Sequence, residues 1–189
     1  GNITSIHLPN GETINYSYDQ LDRVTSINDI SGAIANFAYD NNSNVTSYIN
    51  GAGATYTVEY DSLNRPKRIT DPLGNFYLLA YDRNSNITTV TDRNGFTSSY
   101  AYDSLDRVKT TTDNNGFIVT YTYDAQGNIV SLKDQNNNTT TYTYDSLNRV
   151  KRITYADARF MEYTYNNKGN INTARYIYIF PQKTVSFAY

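Results

Sequence analysis

Tyr102-Asp103-Ser104-Leu105-Asp106-Arg107-Val108, then Asp113-Asn114-Asn115-Gly116, then Tyr121-Thr122-Tyr123-Asp124: this stretch returns to its opening motif after 21 residues. The same pair stands at Tyr18-Asp19, Tyr39-Asp40, Tyr60-Asp61, Tyr81-Asp82, Tyr102-Asp103, Tyr123-Asp124 and Tyr144-Asp145, followed by Tyr165-Asn166. Every step is 21 residues over seven steps, with no insertion. Independent loops would not hold that spacing, so the chain reads as a repeat array whose spacing is structural.

Working outward from the tyrosine, the preceding residues alternate with period two. Ile14, Tyr16 and Tyr18 fall on one face, as do Val119, Tyr121 and Tyr123, and Met161, Tyr163 and Tyr165. Between them stand Asn15 and Ser17, Thr120 and Thr122, Glu162 and Thr164. Successive strand side chains point to opposite faces, so this is a strand with one aromatic and one hydroxyl-rich face. Val24 and Ile27, Ile87 and Val90, Val108, Ile129 and Leu132, and Val150 and Ile153 mark a second strand in each unit. Their spacing of three breaks the alternation and predicts a bulge or early bend.

Two turns join the strands. One has the form Asp71 to Gly74, Asp92 to Gly95 and Asp113 to Gly116; Gly32 and Gly53 are further turn formers. The aspartate side chain caps such a turn, and glycine takes the positive φ that closes a three-residue hairpin loop. Asn137 and Ala158 occupy the glycine site in later units. Asparagine tolerates the left-handed region and alanine does not, so the turn at Ala158 is expected to differ in shape. The other turn follows the tyrosine, with Asp22, Gly127 or Gly169 where a left-handed backbone is expected. A strand–turn–strand–turn unit of 21 residues leaves no room for a helix of useful length.

The expected fold is therefore all-β: tandem 21-residue hairpins in one long, curved antiparallel sheet of about 18 strands. Residues 1–189 read as a single array of nine units, counting a partial first one, and as a piece of something longer. Residues 165–189 are atypical: Arg175 to Phe180 and Thr184 to Tyr189 form a longer hairpin around Pro181-Gln182-Lys183 that would cap the array.

A longer period is superimposed. Five residues after each tyrosine stand Arg23, Asn44, Arg65, Asn86, Arg107, Asn128, Arg149 and Asn170 in strict alternation, and Leu21, Leu63, Leu105 and Leu147 occur only in the arginine units. The arginines are expected to pair with turn aspartates or cover an aromatic ring rather than to bind a ligand.

Composition narrows the function. Net charge is −2 without runs of like charge, so neither nucleic acid nor an anionic surface is indicated. The longest apolar stretch, Tyr176 to Phe180, is too short to span a bilayer. There is no cysteine, which removes disulfides, thiolate metal sites and cysteine nucleophiles together. His7 is the only histidine; it falls where other units have turn residues, and no histidine-based catalytic or metal set can be built from it. Equivalent aspartates lie two strands apart, about 9.6 Å, too far to share an ion. No cofactor and no enzymatic activity are expected.

The motifs quoted above resemble the tyrosine–aspartate (YD, or Rhs) repeat, and the resemblance covers essentially the whole chain. It implies a continuous β-sheet that spirals into a hollow shell. Bacterial members, the Rhs toxins and insecticidal toxin complexes, enclose a C-terminal toxin in it; teneurins use it as a cell-surface scaffold. The resemblance implies a secreted or bacterial cell-surface location, with the rest of the same polypeptide as partner. The Rhs core region and a toxin domain are not found in this sequence, and Asp71-Pro72-Leu73-Gly74, which faintly echoes the core's aspartate–proline motif, reads as an ordinary turn.

The aromatic face is the one candidate site. Tyr16, Phe37, Tyr100, Tyr121, Tyr142 and Tyr163 form one column beside Tyr18, Tyr39, Tyr60, Tyr81, Tyr102, Tyr123, Tyr144 and Tyr165. Cross-strand packing is one reading, with Tyr102, Tyr123 and Tyr144 mostly buried and packed on one another. A carbohydrate-binding, adhesive surface is the other, with tyrosine rings exposed to sugars. Self-association through open sheet edges is a further expectation.

Overall fold

A computed structural model describes residues 1–177 and the backbone of Val185–Ala188. It divides into two compact units, Gly1–Thr97 and Ser98–Tyr189. Described residues form strands and turns, with no helix. In the first unit lie β1 (Ser5–His7), β2 (Thr13–Tyr18), β3 (Val24–Asp29), β4 (Gly32–Tyr39), β5 (Val45–Asn50), β6 (Thr55–Tyr60), β7 (Pro66–Thr70), β8 (Phe76–Tyr81) and β9 (Ile87–Thr91). The second holds β10, which begins at the boundary (Thr97–Tyr102), β11 (Val108–Thr112), β12 (Ile118–Tyr123), β13 (Ile129–Lys133), β14 (Thr139–Tyr144), β15 (Val150–Thr154), β16 (Phe160–Tyr165), β17 (Ile171–Ile177) and β18 (Val185–Ala188). Within each unit every strand pairs antiparallel with the next in the chain, an all-β meander of hairpins as the repeat required.

The broken alternation is a bulge. Thr122 lies opposite Ser131 but Tyr123 lies opposite Ile129, so Val130 is extra; the same shift falls just before Tyr18, Tyr39, Tyr60, Tyr81, Tyr102, Tyr144 and Tyr165. A bulge places two residues against one and sharpens the local twist. Here it recurs where each tyrosine–aspartate strand ends.

Both kinds of turn share one backbone. At Asp71 the amide donates to the Asn75 carbonyl (2.8 Å) and the carbonyl accepts from Gly74 (3.0 Å). At Asp103 the same two bonds link Arg107 (2.9 Å) and Asp106 (3.1 Å). This is a three-residue loop whose third residue is left-handed: φ is 81° at Gly95, 80° at Gly116, 64° at Asn137 and 58° at Asp106. The Asp29–Gly32 hairpin differs, closing with two residues and leaving Ile34 unpaired between Ala33 and Ala35.

Ala158 corrects an expectation. Its turn has the same shape as the others, with φ of 65° and the bonds Tyr155 to Arg159 (2.8 Å) and Ala158 to Tyr155 (2.9 Å). The register of β15 with β16 fixes the loop length, so alanine accepts a strained conformation. His7 corrects another: it ends strand β1 rather than lying in a turn, exposed, with Nδ1 2.8 Å from Thr13 Oγ1. The expected Pro181-Gln182-Lys183 turn lies outside the described residues.

Burial is slight. Among the described residues only Ala35 (5% exposed) and Ala174 (9%) are buried. With so little core, strand pairing and side-chain links along the sheet must carry cohesion.

Candidate functional site

The tyrosine–aspartate turns are built from the aspartate upward, and its two oxygens have separate tasks. In Asp103, Oδ1 accepts from the Leu105 amide (2.9 Å) and the Arg107 amide (3.1 Å), which caps the loop. Oδ2 takes Arg107, with Nε at 2.8 Å and Nη2 at 2.7 Å. These donors hold the Asp103 carboxyl below its ordinary value of 3.8, the Arg107 side chain contributing most and partial desolvation opposing. In asparagine units the amide replaces the guanidinium: Asn128 Nδ2 donates to Asp124 Oδ2 at 2.9 Å and likewise depresses its pKa.

The arginine then reaches the following hairpin. Arg107 Nη1 donates to the Asp124 carbonyl (3.2 Å), and its guanidinium lies 4.4 Å from the centre of the Tyr123 ring. Arg23 does the same with Asp40 (2.9 Å) and Tyr39 (4.5 Å), and Arg65 with Asp82 (3.0 Å) and Tyr81 (4.4 Å). Arg149 lies 4.3 Å from the Tyr165 ring. A planar guanidinium can stack on a ring and donate in its plane at once, which lysine cannot. Asn44 and Asn128 make the shorter link, donating to Asn64 Oδ1 (2.7 Å) and Asn148 Oδ1 (3.0 Å).

The tyrosine completes the tie in the reverse direction. Tyr123 donates its hydroxyl to the Val108 carbonyl at 2.7 Å, the residue that opens the bulge of the preceding hairpin. Tyr18, Tyr39, Tyr60, Tyr81, Tyr144 and Tyr165 donate to Ile3, Val24, Val45, Pro66, Ile129 and Val150, at 2.7 to 2.9 Å. A phenol that would otherwise lose water on partial burial is thus satisfied. Burial raises the Tyr123 and Tyr144 phenols above their ordinary value.

Tyr102, Tyr123 and Tyr144 are half-buried, and Tyr123 is covered by Arg107 rather than by a neighbouring tyrosine, because the arginine fills the gap between successive hairpins. Column Tyr16, Tyr100, Tyr121, Tyr142 and Tyr163 is also half-buried but differently engaged. Tyr121 faces Leu132 and Tyr142 faces Ile153 across the strands, and Tyr163 lies 3.6 Å from Met161 Sδ. The hydroxyls of Tyr16, Tyr100, Tyr121 and Tyr142 have no hydrogen-bond partner among the described residues. In the first unit an aromatic row the sequence reading missed runs Phe37–Tyr48–Tyr56, with ring centres 5.5 and 5.9 Å apart. Tyr48 stands in the second strand of its unit, where the tyrosine register gives no signal. Gly32, Gly53, Gly74, Gly95 and Gly116 all have positive φ at the opposite turns. No group of three or more metal-ligating side chains occurs among the described residues.

These elements define a tandem hairpin protein whose repeats are tied tyrosine to bulge and arginine to tyrosine. The profile of the teneurin YD-shell matches residues 1–95, and that of the RHS repeat matches residues 81–118, 104–135 and 123–159. The chain belongs to the YD-repeat family. No curated protein matches it in sequence. Among solved structures it is similar to one of TcdB2-TccC3-Cdc42 (TM-score 0.74, 14% identity, 91% of this chain and 11% of that one). TcdB2-TccC3 is similar too (0.73, 15%, 88% and 11%), as is a Photorhabdus luminescens Tc holotoxin pore (0.66, 14%, 94% and 11%). At these identities the likeness is one of fold, and the chain spans about a tenth of the length of those chains.

Proposed function

We propose that this array is a non-catalytic structural module, a segment of a secreted or cell-surface β-sheet shell that encloses or displays another domain of its own polypeptide. One observation carries the reading. In the tyrosine–aspartate column, the recurring polar and aromatic groups are engaged in joining one hairpin to the next. Tyr123 uses its hydroxyl on Val108 and has Arg107 over its ring, and Arg107 divides its donors between Asp103 and Asp124. A sugar-binding surface needs open ring faces and free edges, whereas at Tyr39, Tyr81, Tyr123 and Tyr165 an arginine covers the ring and the hydroxyl is already bonded. Family membership and the likeness to toxin-complex chains support the same reading.

Limited proteolysis of the parent polypeptide tests it. The domain joined to the array is expected to resist protease in the wild type and to become sensitive when Tyr123→Ala and Tyr144→Ala loosen the hairpins. Equal cleavage in both would contradict enclosure.

A further inference from the structure

Charge in the second unit is sorted by position, which the net charge of −2 conceals. Its strands carry Lys109, Lys133, Lys151, Arg152 and Arg175 against a single acid, Glu162. All its aspartates, from Asp103 to Asp157, stand in turns. The strands of the first unit are balanced, with Lys67 and Arg68 against Asp29 and Glu59.

Register places the second unit's cations on one side. Lys133 is opposite Thr120 and Thr139; Arg152 is opposite Thr143 and Glu162; Arg175 is opposite Glu162. Cross-strand partners share a face, and so do residues two apart, which links these positions through Thr120, Thr122, Thr141 and Thr143. That is the threonine face, opposite the tyrosine columns. Lys151 and Lys109 occupy the bulge position of Lys67, whose ammonium lies 3.6 Å from Glu59 beside Arg68.

These cations are not used as the turn arginines are. Lys133 and Arg175 are exposed, with no ion-pair partner among the described residues. Arg152 lies 3.5 Å from the centre of Phe160, reaches Glu162 only at 3.8 Å, and leaves Nε without a hydrogen bond. Beside Lys133 a recess of about 320 Å³ is lined by Phe117, Ile118 and Thr120, with Phe117 48% and Ile118 49% exposed. Asp134 at its rim already accepts from Asn136 and Asn138.

We propose that this threonine face of the second unit docks an acidic, partly apolar polypeptide segment. Cations recur on alternate strands, about 9.6 Å apart. A helix presenting one carboxylate per two turns offers them about every 10.5 Å, near enough to pair in succession. Phe117 and Ile118 call for an apolar residue beside one of those carboxylates. A polyanionic polysaccharide would match the charge and leave these two side chains uncovered.

The test uses the full chain and a fluorescent helical peptide of glutamate and leucine, with poly-glutamate and heparin as charge-only probes. Saturable, salt-sensitive binding of the peptide is expected, tighter than that of poly-glutamate. Lys133→Gln and Arg175→Gln should each weaken it about threefold, whereas Lys168→Gln, in a turn, should not. Ile118→Ser should abolish the preference for the leucine-bearing peptide while the melting temperature is retained. Peptide binding indifferent to Lys133→Gln and Arg175→Gln, or heparin binding tighter through those residues, would overturn the proposal.

Discussion

The two rows of turns have the same backbone and opposite habits. A turn of the Asp113–Gly116 kind closes on itself: Asp113 Oδ1 accepts from the Asn115 and Phe117 amides, both at 2.9 Å. Its links to neighbouring turns are sparse, the clear one being Arg93, 3.4 Å from Asp71 and stacked 5.3 Å from Tyr77. A tyrosine–aspartate turn closes identically and then reaches outward through arginine or asparagine. The difference separates two tasks that share one motif. Shaping a hairpin needs only the capped loop, and joining hairpins needs the Tyr–Arg–Asp set. In a sheet where, among the described residues, only Ala35 and Ala174 are buried, joining is the harder task.

Substitutions should expose that asymmetry. Tyr123→Ala removes a half-buried ring, its hydroxyl bond and the platform for Arg107, and should cost about 2–3 kcal/mol, somewhat below a fully buried aromatic. Phe117→Ala, at the self-contained row, should cost under about 1 kcal/mol. Chemical denaturation of both variants measures the contrast; equal losses would mean that the rows are equivalent. Backbone changes should instead treat the rows alike. Gly116→Val and Gly127→Val should each destabilise by more than about 1 kcal/mol, because both glycines have positive φ (80° and 92°) and a β-branched residue resists it. Conversely, Ala158→Gly should stabilise by roughly 1 kcal/mol by relieving the left-handed alanine.

The smallest effect concerns acid. Asp103, Asp124 and Asp145 have folded-state pKa values depressed below 3.8, with the side-chain hydrogen bond from Arg107, Asn128 or Arg149 the leading cause. A depressed carboxylate contributes stability above its unfolded pKa and loses it as pH falls through the folded one. Melting temperature should therefore be level from neutral pH down to about pH 5 and decline below about pH 4. A decline already complete above pH 5 would point to other groups.

Much of this was legible in the sequence because each feature repeats. Period-two alternation fixed the strands, and the spacing of three at Ile129 and Leu132 signalled the bulge at Val130. The arginines were expected to bind an aspartate or cover a ring, and Arg23, Arg65, Arg107 and Arg149 do both. What stayed hidden depends on register between hairpins. Val108 is an ordinary apolar residue in sequence; only the bulge turns its carbonyl toward Tyr123. Ala158 misled because local preference forbids its φ, yet pairing on both sides of the loop enforces it. The basic face was masked by a near-neutral total, since the turn aspartates cancel the lysines and arginines on the strands.

The measurement that bears most directly on the joining role is a double-mutant cycle between hairpins, with Arg107→Gln, Tyr123→Leu and the pair compared by chemical denaturation. Arg107 and Tyr123 belong to successive repeats and meet at 4.4 Å. Their coupling is expected at about 1 kcal/mol, with each single variant slower to refold or less stable than wild type. Losses that simply add, to within about 0.3 kcal/mol, would show that the two side chains stabilise their own hairpins separately and that the repeats are not joined through them.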